Sequence, residues 1–220
     1  MTAKSRIVLS EELIQPLPVQ SPPVEEALRW RSEHERERVW HDWPEIFMTQ
    51  DAYREINAHA RSDTGREVGG MLVGEARRTP DDTLYVVIEG QLPARHVAHG
   101  PAHLTFTSDT LTDALDRLEE RFPEKQVVGW YHTHPGLSVF LSSMDVWLHT
   151  HFFPKAWHVA LVIDPIANQA GFFRYANGQR VYLHPEQYVG FYELAGPGME
   201  SVVGWRNLLP GTGKENGARG

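Results

Sequence analysis

Two histidines separated by one residue, His132 and His134, precede an aspartate, Asp145, within the stretch GWYHTHPGLSVFLSSMD at residues 129–145. The short apolar run Val127 to Tyr131 reads as a buried strand entering His132, and Pro135 favours a turn directly after His134. Both imidazoles can then converge on one ion, with Asp145 supplying an oxygen from the far side of the loop. Two histidines and one carboxylate leave the fourth tetrahedral position open to water, as in catalytic rather than structural zinc sites, and an open position points to hydrolysis. A plainer reading competes for the same residues. Ser142 followed three residues later by an acid is a helix-start pattern, and Asp145 can be oriented by that cap while also binding a metal.

Hydrolysis at such a site needs a base. Glu67 is the best placed upstream carboxylate, because it precedes the apolar, glycine-bearing strand VGGMLVG. Glu45, Glu55 and Asp63 compete, and periodicity alone leaves the choice open. His149-Thr150-His151 repeats the His-x-His spacing, but within a helix residues two apart point about 200° away from each other, so this pair is not expected to share an ion. His151 reads as a core-edge histidine. The trio His96, His99 and His103 falls in a loop-like stretch and reads as ordinary surface histidines.

Positioning these groups requires a succession of short elements. Thr49 caps an expected helix to about Ser62, with Ala52, Ile56 and Ala60 on one face. Strands are expected over Glu67 to Val73 and Leu84 to Leu92, joined by a connection over residues 74–82. Residues 93–103 read as a loop. From Ser108 or Asp109, the positions Leu111, Ala114, Leu115, Leu118 and Phe122 define the clearest helix, closed by Pro123. A helix over 142–153 follows the motif, then strands over Trp157 to Asp164 and Gly171 to Tyr175. Asn177-Gly178 signals a hairpin into Val181 to Leu183. Residues 1–44 read as an N-terminal extension with a polar helix between Glu25 and Glu37. The catalytic domain is expected over 45–195, and 196–220 as a flexible tail.

Composition narrows the chemistry. The 220 residues, 41% hydrophobic and 23% charged, suit one globular domain with extensions. The chain has no cysteine, which excludes disulfides and thiolate ligands, so a metal must be held by His, Asp or Glu. A formal charge of −8 argues against a nucleic-acid partner. No apolar run is long enough to span a membrane, and the first thirty residues lack a leader-like apolar stretch, so a cytoplasmic protein is expected.

The order Glu67, then His132-x-His134-Pro135, then six residues, then Ser142-x-x-Asp145 resembles the JAMM signature of the MPN-plus metalloproteases, including Gly129 before it and Gly136 after it. The resemblance runs from about Phe47 to Leu183, and Leu141 to Asp145 is similar to the corresponding run of the proteasomal and signalosome isopeptidases. It implies an α/β (α+β) fold of the MPN/JAB, cytidine-deaminase-like kind, a mixed curved sheet flanked by helices. It also implies a zinc-dependent peptidase that cleaves after the C-terminus of a ubiquitin-like protein, in deconjugation or precursor processing. His132, His134 and Asp145 would hold one Zn2+, Glu67 would act as base and then acid, and Ser142 would hydrogen-bond the developing oxyanion. Phe140, between the ligands, would wall the groove for an extended Gly-Gly tail.

The lack of cysteine departs from relatives that carry a second, structural zinc, so one ion is expected. Residues 93–106 correspond to the family's first insertion and are expected near the cleft. Compact members of this kind imply a ubiquitin-like protein or its conjugates as partner, alongside activating-enzyme-like and conjugating-enzyme-like proteins. The alternatives are an amidase or peptidase on a small or sulfur-carrier-linked substrate, and a non-catalytic MPN scaffold.

Overall fold

The computed structural model describes residues 16–35, 44–95, 97–99, 104–106, 108–175, 187–196 and 198–211. Its strands are β1 (Ala27–Arg31), β2 (Glu45–Thr49), β3 (Gly69–Arg78), β4 (Leu84–Pro93), β5 (Val97–His99), β6 (Leu104–Phe106), β7 (Gln126–Thr133), β8 (Val159–Asp164), β9 (Gln169–Arg174), β10 (Phe191–Leu194) and β11 (Leu209–Pro210). Three helices accompany them: α1 (Gln50–Ala60), α2 (Ser108–Arg121) and α3 (Ser143–Phe152). Nine strands form one sheet in the order β11-β1-β10-β2-β4-β3-β7-β8-β9, while β5 and β6 pair separately. The sheet is mixed: β10 with β2, β2 with β4, and β7 with β8 are parallel, and its other pairs are antiparallel. This is the α+β architecture expected. No helix among the described residues is long and apolar enough to cross a membrane.

Neighbouring residues of β7 show how the layers lie. Trp130 Nε1 donates to His149 Nδ1 of α3 at 2.9 Å, whereas Tyr131 Oη meets His59 Nδ1 of α1 at 2.8 Å. Successive strand side chains point to opposite faces, so α3 and α1 cover opposite sides of the sheet. From α1, Ala52, Ile56 and Ala60 are buried in the core as their spacing requires, and the Thr49 hydroxyl accepts the Ala52 N–H at 3.2 Å. Gly129 permits the close approach of β7 to β8, since a Cβ there would stand 2.0 Å from the Val159 carbonyl oxygen.

Several boundaries differ from the expectations, each for a tertiary reason. Strand β3 runs on to Arg78 through an irregularity at Val73 and Gly74, which shortens the expected connection to a turn between Thr79 and Thr83. The expected loop at 93–103 contains β5, which pairs with β6. No polar helix forms between Glu25 and Glu35. A 3₁₀ turn, β1 and a second 3₁₀ turn occupy that stretch, because pairing with β10 and the Trp30 indole bond to Glu193 (2.9 Å) outweigh local helix preference. The segment expected to leave the domain at Gly196 returns to it: Trp205 and Leu208 are buried, and β11 pairs with β1. Fully buried Glu193 draws this segment in by accepting the Ser201 hydroxyl (2.5 Å) and the Val202 N–H (2.8 Å). The hairpin expected at Asn177-Gly178 and Val181 to Leu183 lies outside the described residues.

Candidate metal and catalytic site

The site stands where β7 ends and α3 begins, within a β7–loop–α3–β8 unit whose two strands are parallel. Open sheets with parallel strands place ligands at such carboxyl ends. His132 shares the α3 face with Trp130, two residues before it, and its ring stacks on the indole at 4.6 Å with an interplanar angle of 10°. His134 lies one residue past β7. Its N–H donates to the Ile163 carbonyl of β8 at 2.8 Å, and its ring tilts against Phe140 at 4.8 Å.

Asp145 arrives from the first turn of α3. Ser142 Oγ accepts the Asp145 N–H at 3.2 Å, and Asp145 Oδ2 accepts the Ser142 N–H at 2.7 Å, a complete capping box. The capping bond fixes the carboxylate in a pose that also serves the histidines. Asp145 Oδ1 lies 3.4 Å from His132 Nε2, Asp145 Oδ2 lies 3.7 Å from His134 Nε2, and the two Nε2 atoms are 2.9 Å apart. Bonds of about 2.05 Å at tetrahedral angles place neighbouring ligand atoms about 3.3 Å apart, so one ion fits with shifts of a few tenths of an ångström. All three residues are buried. Burial alone would raise the Asp145 carboxyl, but the adjacent His132 and His134 and the Ser142 cap hold it far below the ordinary carboxylate range.

Glu67 Oε1 is 4.0 Å from His134 Nε2, so the structure brings Glu67 to the cluster. Among its competitors, Glu45 belongs to β2, Glu55 is exposed on α1, and Asp63 Oδ1 is engaged by the N–H groups of Gly65 and Arg66 in a turn. Beside the first turn of α3 an open surface hollow of about 320 Å³ lies between Ser143, Met144 and Trp147.

The loop between His134 and Asp145 is held from below by Asp164, which the motif reading passed over. Its Oδ1 accepts the N–H groups of Gly136 (3.0 Å), Ile166 (2.9 Å) and Ala167 (3.0 Å), and its Oδ2 accepts that of Ser138 (3.1 Å). Gly136 and Ser138 both have positive φ, 73° and 72°, so the loop is a tight, backbone-specified turn. An acid at a strand end followed by Pro165 was the sequence signal for it. The second His-x-His pair diverges. His149 is fully buried against Trp130, and His151 is exposed and stacked on Trp147 at 4.5 Å, so the buried member is His149 rather than His151. Burial pushes the His149 imidazole down to about 3, leaving it neutral at pH 7. His96 and His103 lie outside the described residues.

A family model described as JAB1/Mov34/MPN/PAD-1 ubiquitin protease matches residues 45–155, just over half of the chain. The chain belongs to this family. The match of the JAB1/MPN family spans α1, Glu67, β3, both histidines and Asp145. Ubiquitin carboxyl-terminal hydrolase RPN11 of Saccharomyces cerevisiae is 31% identical over 129 residues, which cover 57% of this chain and 40% of that protein. COP9 signalosome complex subunit 5 of Drosophila melanogaster is 27% identical over 156 residues, covering 66% of this chain and 46% of that protein. This JAB1/MPN-family chain thus spans less than half the length of these curated relatives. A solved solution structure of a protein from Desulfitobacterium hafniense aligns with a TM-score of 0.46 and 23% identity, over 66% of this chain and 87% of that one.

Proposed function

We propose that this protein is a zinc-dependent peptidase that hydrolyses the peptide or isopeptide bond after the C-terminus of a ubiquitin-like protein. The observation that carries this reading is the buried His132, His134 and Asp145 cluster with Glu67 beside it, in a chain whose family description is ubiquitin protease. The donor set of two imidazole nitrogens and one carboxylate oxygen suits a single Zn2+. Zinc supplies Lewis acidity, which makes water a nucleophile near neutral pH and polarises a carbonyl.

The remaining roles fall to the chain. Glu67 accepts a proton from water as its oxygen attacks the scissile carbonyl carbon, and delivers that proton to the nitrogen as the C–N bond breaks. The Ser142 hydroxyl stands at the start of α3, where its oxygen accepts the Asp145 N–H, and in this reading it turns its proton to the oxygen that gains charge. Phe140, packed on His134, lines the approach and favours a slender tail such as Gly-Gly. A ubiquitin-like protein and its conjugates are therefore the proposed partners, within the cytoplasm.

The test is incubation of the purified protein with a β-grasp protein ending in Gly-Gly plus a short tail, with and without chelator. Cleavage after Gly-Gly that chelator stops and zinc restores is expected. Glu67→Gln should reduce the rate at least about 10³-fold while retaining one equivalent of metal. Absence of metal after chelator-free purification, or cleavage that survives Glu67→Gln, would refute the reading. Hydrolysis of small amides alone would leave the chemistry and replace the substrate.

A further inference from the structure

The middle residue of His132-Thr133-His134 faces away from the ion position, because strand side chains alternate and both histidines share the α3 face. A residue there has no contact to make with a metal. Thr133 is nevertheless fully buried, and its N–H and its hydroxyl oxygen meet one neighbour. Its N–H donates to the Val68 carbonyl at 2.8 Å, and its Oγ1 accepts the Val68 N–H at 2.9 Å. Val68 is the residue that follows Glu67.

The register gives this pair its meaning. Gly69 opposite His132 is the last Cα pair of the β3–β7 ladder, so Val68 opposite Thr133 comes next. In an antiparallel hydrogen-bonded pair, two residues ordinarily exchange both main-chain bonds. Here one of the two runs through the threonine side chain. β7 ends here: the next N–H, that of His134, alternates to the other neighbour and donates to Ile163 of β8, and Pro135 follows. At the same time the chain entering β3 stays clamped to β7. One hydroxyl thus ties the backbone beside Glu67 to the backbone between the two histidines.

We propose that Thr133 is a positioning residue for the reaction: its hydroxyl holds Val68, and through it Glu67, at the distance from His134 that proton transfer requires. This inference rests on the peptidase reading given above. It extends that reading by assigning a role to a side chain that touches neither metal nor substrate. Glu67 enters from outside the regular strand, with its Oε1 4.0 Å from His134 Nε2, and the Val68 clamp fixes the main chain one residue after it. A displacement of about 1 Å at a catalytic group costs on the order of 10²-fold in rate.

The test compares Thr133→Val, which keeps the branched shape and removes the hydroxyl, with Thr133→Ser, which keeps the hydroxyl. Thr133→Val should lower kcat by about 10- to 100-fold with KM within about twofold and metal stoichiometry unchanged. Thr133→Ser should return kcat to within about threefold of the original protein. In a Glu67→Gln background, Thr133→Val should add no further loss, because the hydroxyl acts only through Glu67. A substrate-free arm measures hydrogen exchange at the Val68 amide by NMR: about tenfold faster in Thr133→Val, and like the original protein in Thr133→Ser.

Unchanged kcat in Thr133→Val, failure of serine to recover it, or an additive loss in the Glu67→Gln background would overturn the proposal. So would Val68 exchange that ignores the substitution. If the unsubstituted protein cleaves nothing, the peptidase reading fails on that result, and the exchange arm still decides whether the Val68 clamp exists.

Discussion

Asp164→Asn is the substitution whose outcome the structure constrains most closely. The carboxylate is buried, and of its four backbone N–H partners Gly136 and Ser138 lie in the turn between His134 and Asp145, while Ile166 and Ala167 lie in the turn just after β8. An asparagine oriented like the aspartate keeps the oxygen that serves Gly136, Ile166 and Ala167, but places its NH₂ group against the Ser138 N–H. One bond is lost and three fall from charge-assisted to neutral strength. Hydrogen bonds to charged groups contribute about 1.5–3 kcal/mol and neutral ones about 0.5–1.5. Gly136 and Ser138 lie at the surface, where water can replace part of the loss, so a net cost of about 2 kcal/mol follows. For a chain of this length that lowers Tm by about 4–8 °C.

The pH dependence provides the sharper check. Burial would raise the Asp164 carboxyl, but the N–H groups of Ala167, Gly136, Ser138 and Ile166 outweigh it and hold it below its ordinary value. A group depressed in the folded state contributes stability that is present above its unfolded pKa of about 3.9 and is lost as pH falls through the folded pKa. Below that point the original side chain is a neutral acid, nearly isosteric with asparagine, so the two proteins should converge. Urea denaturation in chelator, followed by tryptophan fluorescence, should give a gap of about 2 kcal/mol at pH 7 and at pH 5 that narrows below about pH 4. A gap below about 0.5 kcal/mol at pH 7, or one that stays constant to pH 3, would refute the reasoning.

Two further outcomes follow from side chains at either end of the fold. Phe140→Ala removes the ring that packs on His134 at 4.8 Å, and should lower kcat/KM for a ubiquitin-like substrate about tenfold with zinc content intact. Unchanged kinetics measured on a Gly-Gly fusion would remove Phe140 from the site. Trp205→Ala removes a buried ring that packs on Tyr53 and Phe191 and donates its indole N–H to Asn57 at 3.0 Å. Its expected cost is about 3–5 kcal/mol by equilibrium unfolding, and a loss under about 1 kcal/mol would show that residues 198–211 do not belong to the cooperative core.

The cluster of His132, His134 and Asp145 was legible because its rules are local. A strand that ends in His-x-His places both rings on one face, and Ser142-x-x-Asp145 encodes its own helix start, so spacing alone brings the donors near one another. Glu67 was not legible on those terms. Its proximity depends on the β3–β7 register, which pairs Gly69 with His132 across more than sixty residues of chain, and only the family resemblance singled it out from Glu45, Glu55 and Asp63. The same limit hid β1 and the C-terminal segment. Glu193 receives the Trp30 indole, the Gln50 amide, the Ser201 hydroxyl and the Val202 N–H, and no local pattern around any of these residues announces the other four. Composition made 25–37 look helical and 196–220 look loose, because it cannot register partners so distant in sequence.

The capping pattern began as a rival to the metal reading of Asp145, and the geometry makes the two compatible. An aspartate free to rotate would lose side-chain entropy on meeting an ion, and would point its carboxylate elsewhere when alone. The Ser142 N–H holds Asp145 Oδ2 at 2.7 Å, which turns Oδ1 toward His132 at 3.4 Å before any metal arrives. The positive end of the α3 dipole and the two histidines favour the ionised form of that carboxylate, the form a metal needs. Asp164 performs the same service for the intervening turn, and Trp130 for the His132 ring. Each side chain of the cluster is thus aimed by a contact that needs no ion, so on the proposed reading folding assembles the donors and an ion would require shifts of only a few tenths of an ångström.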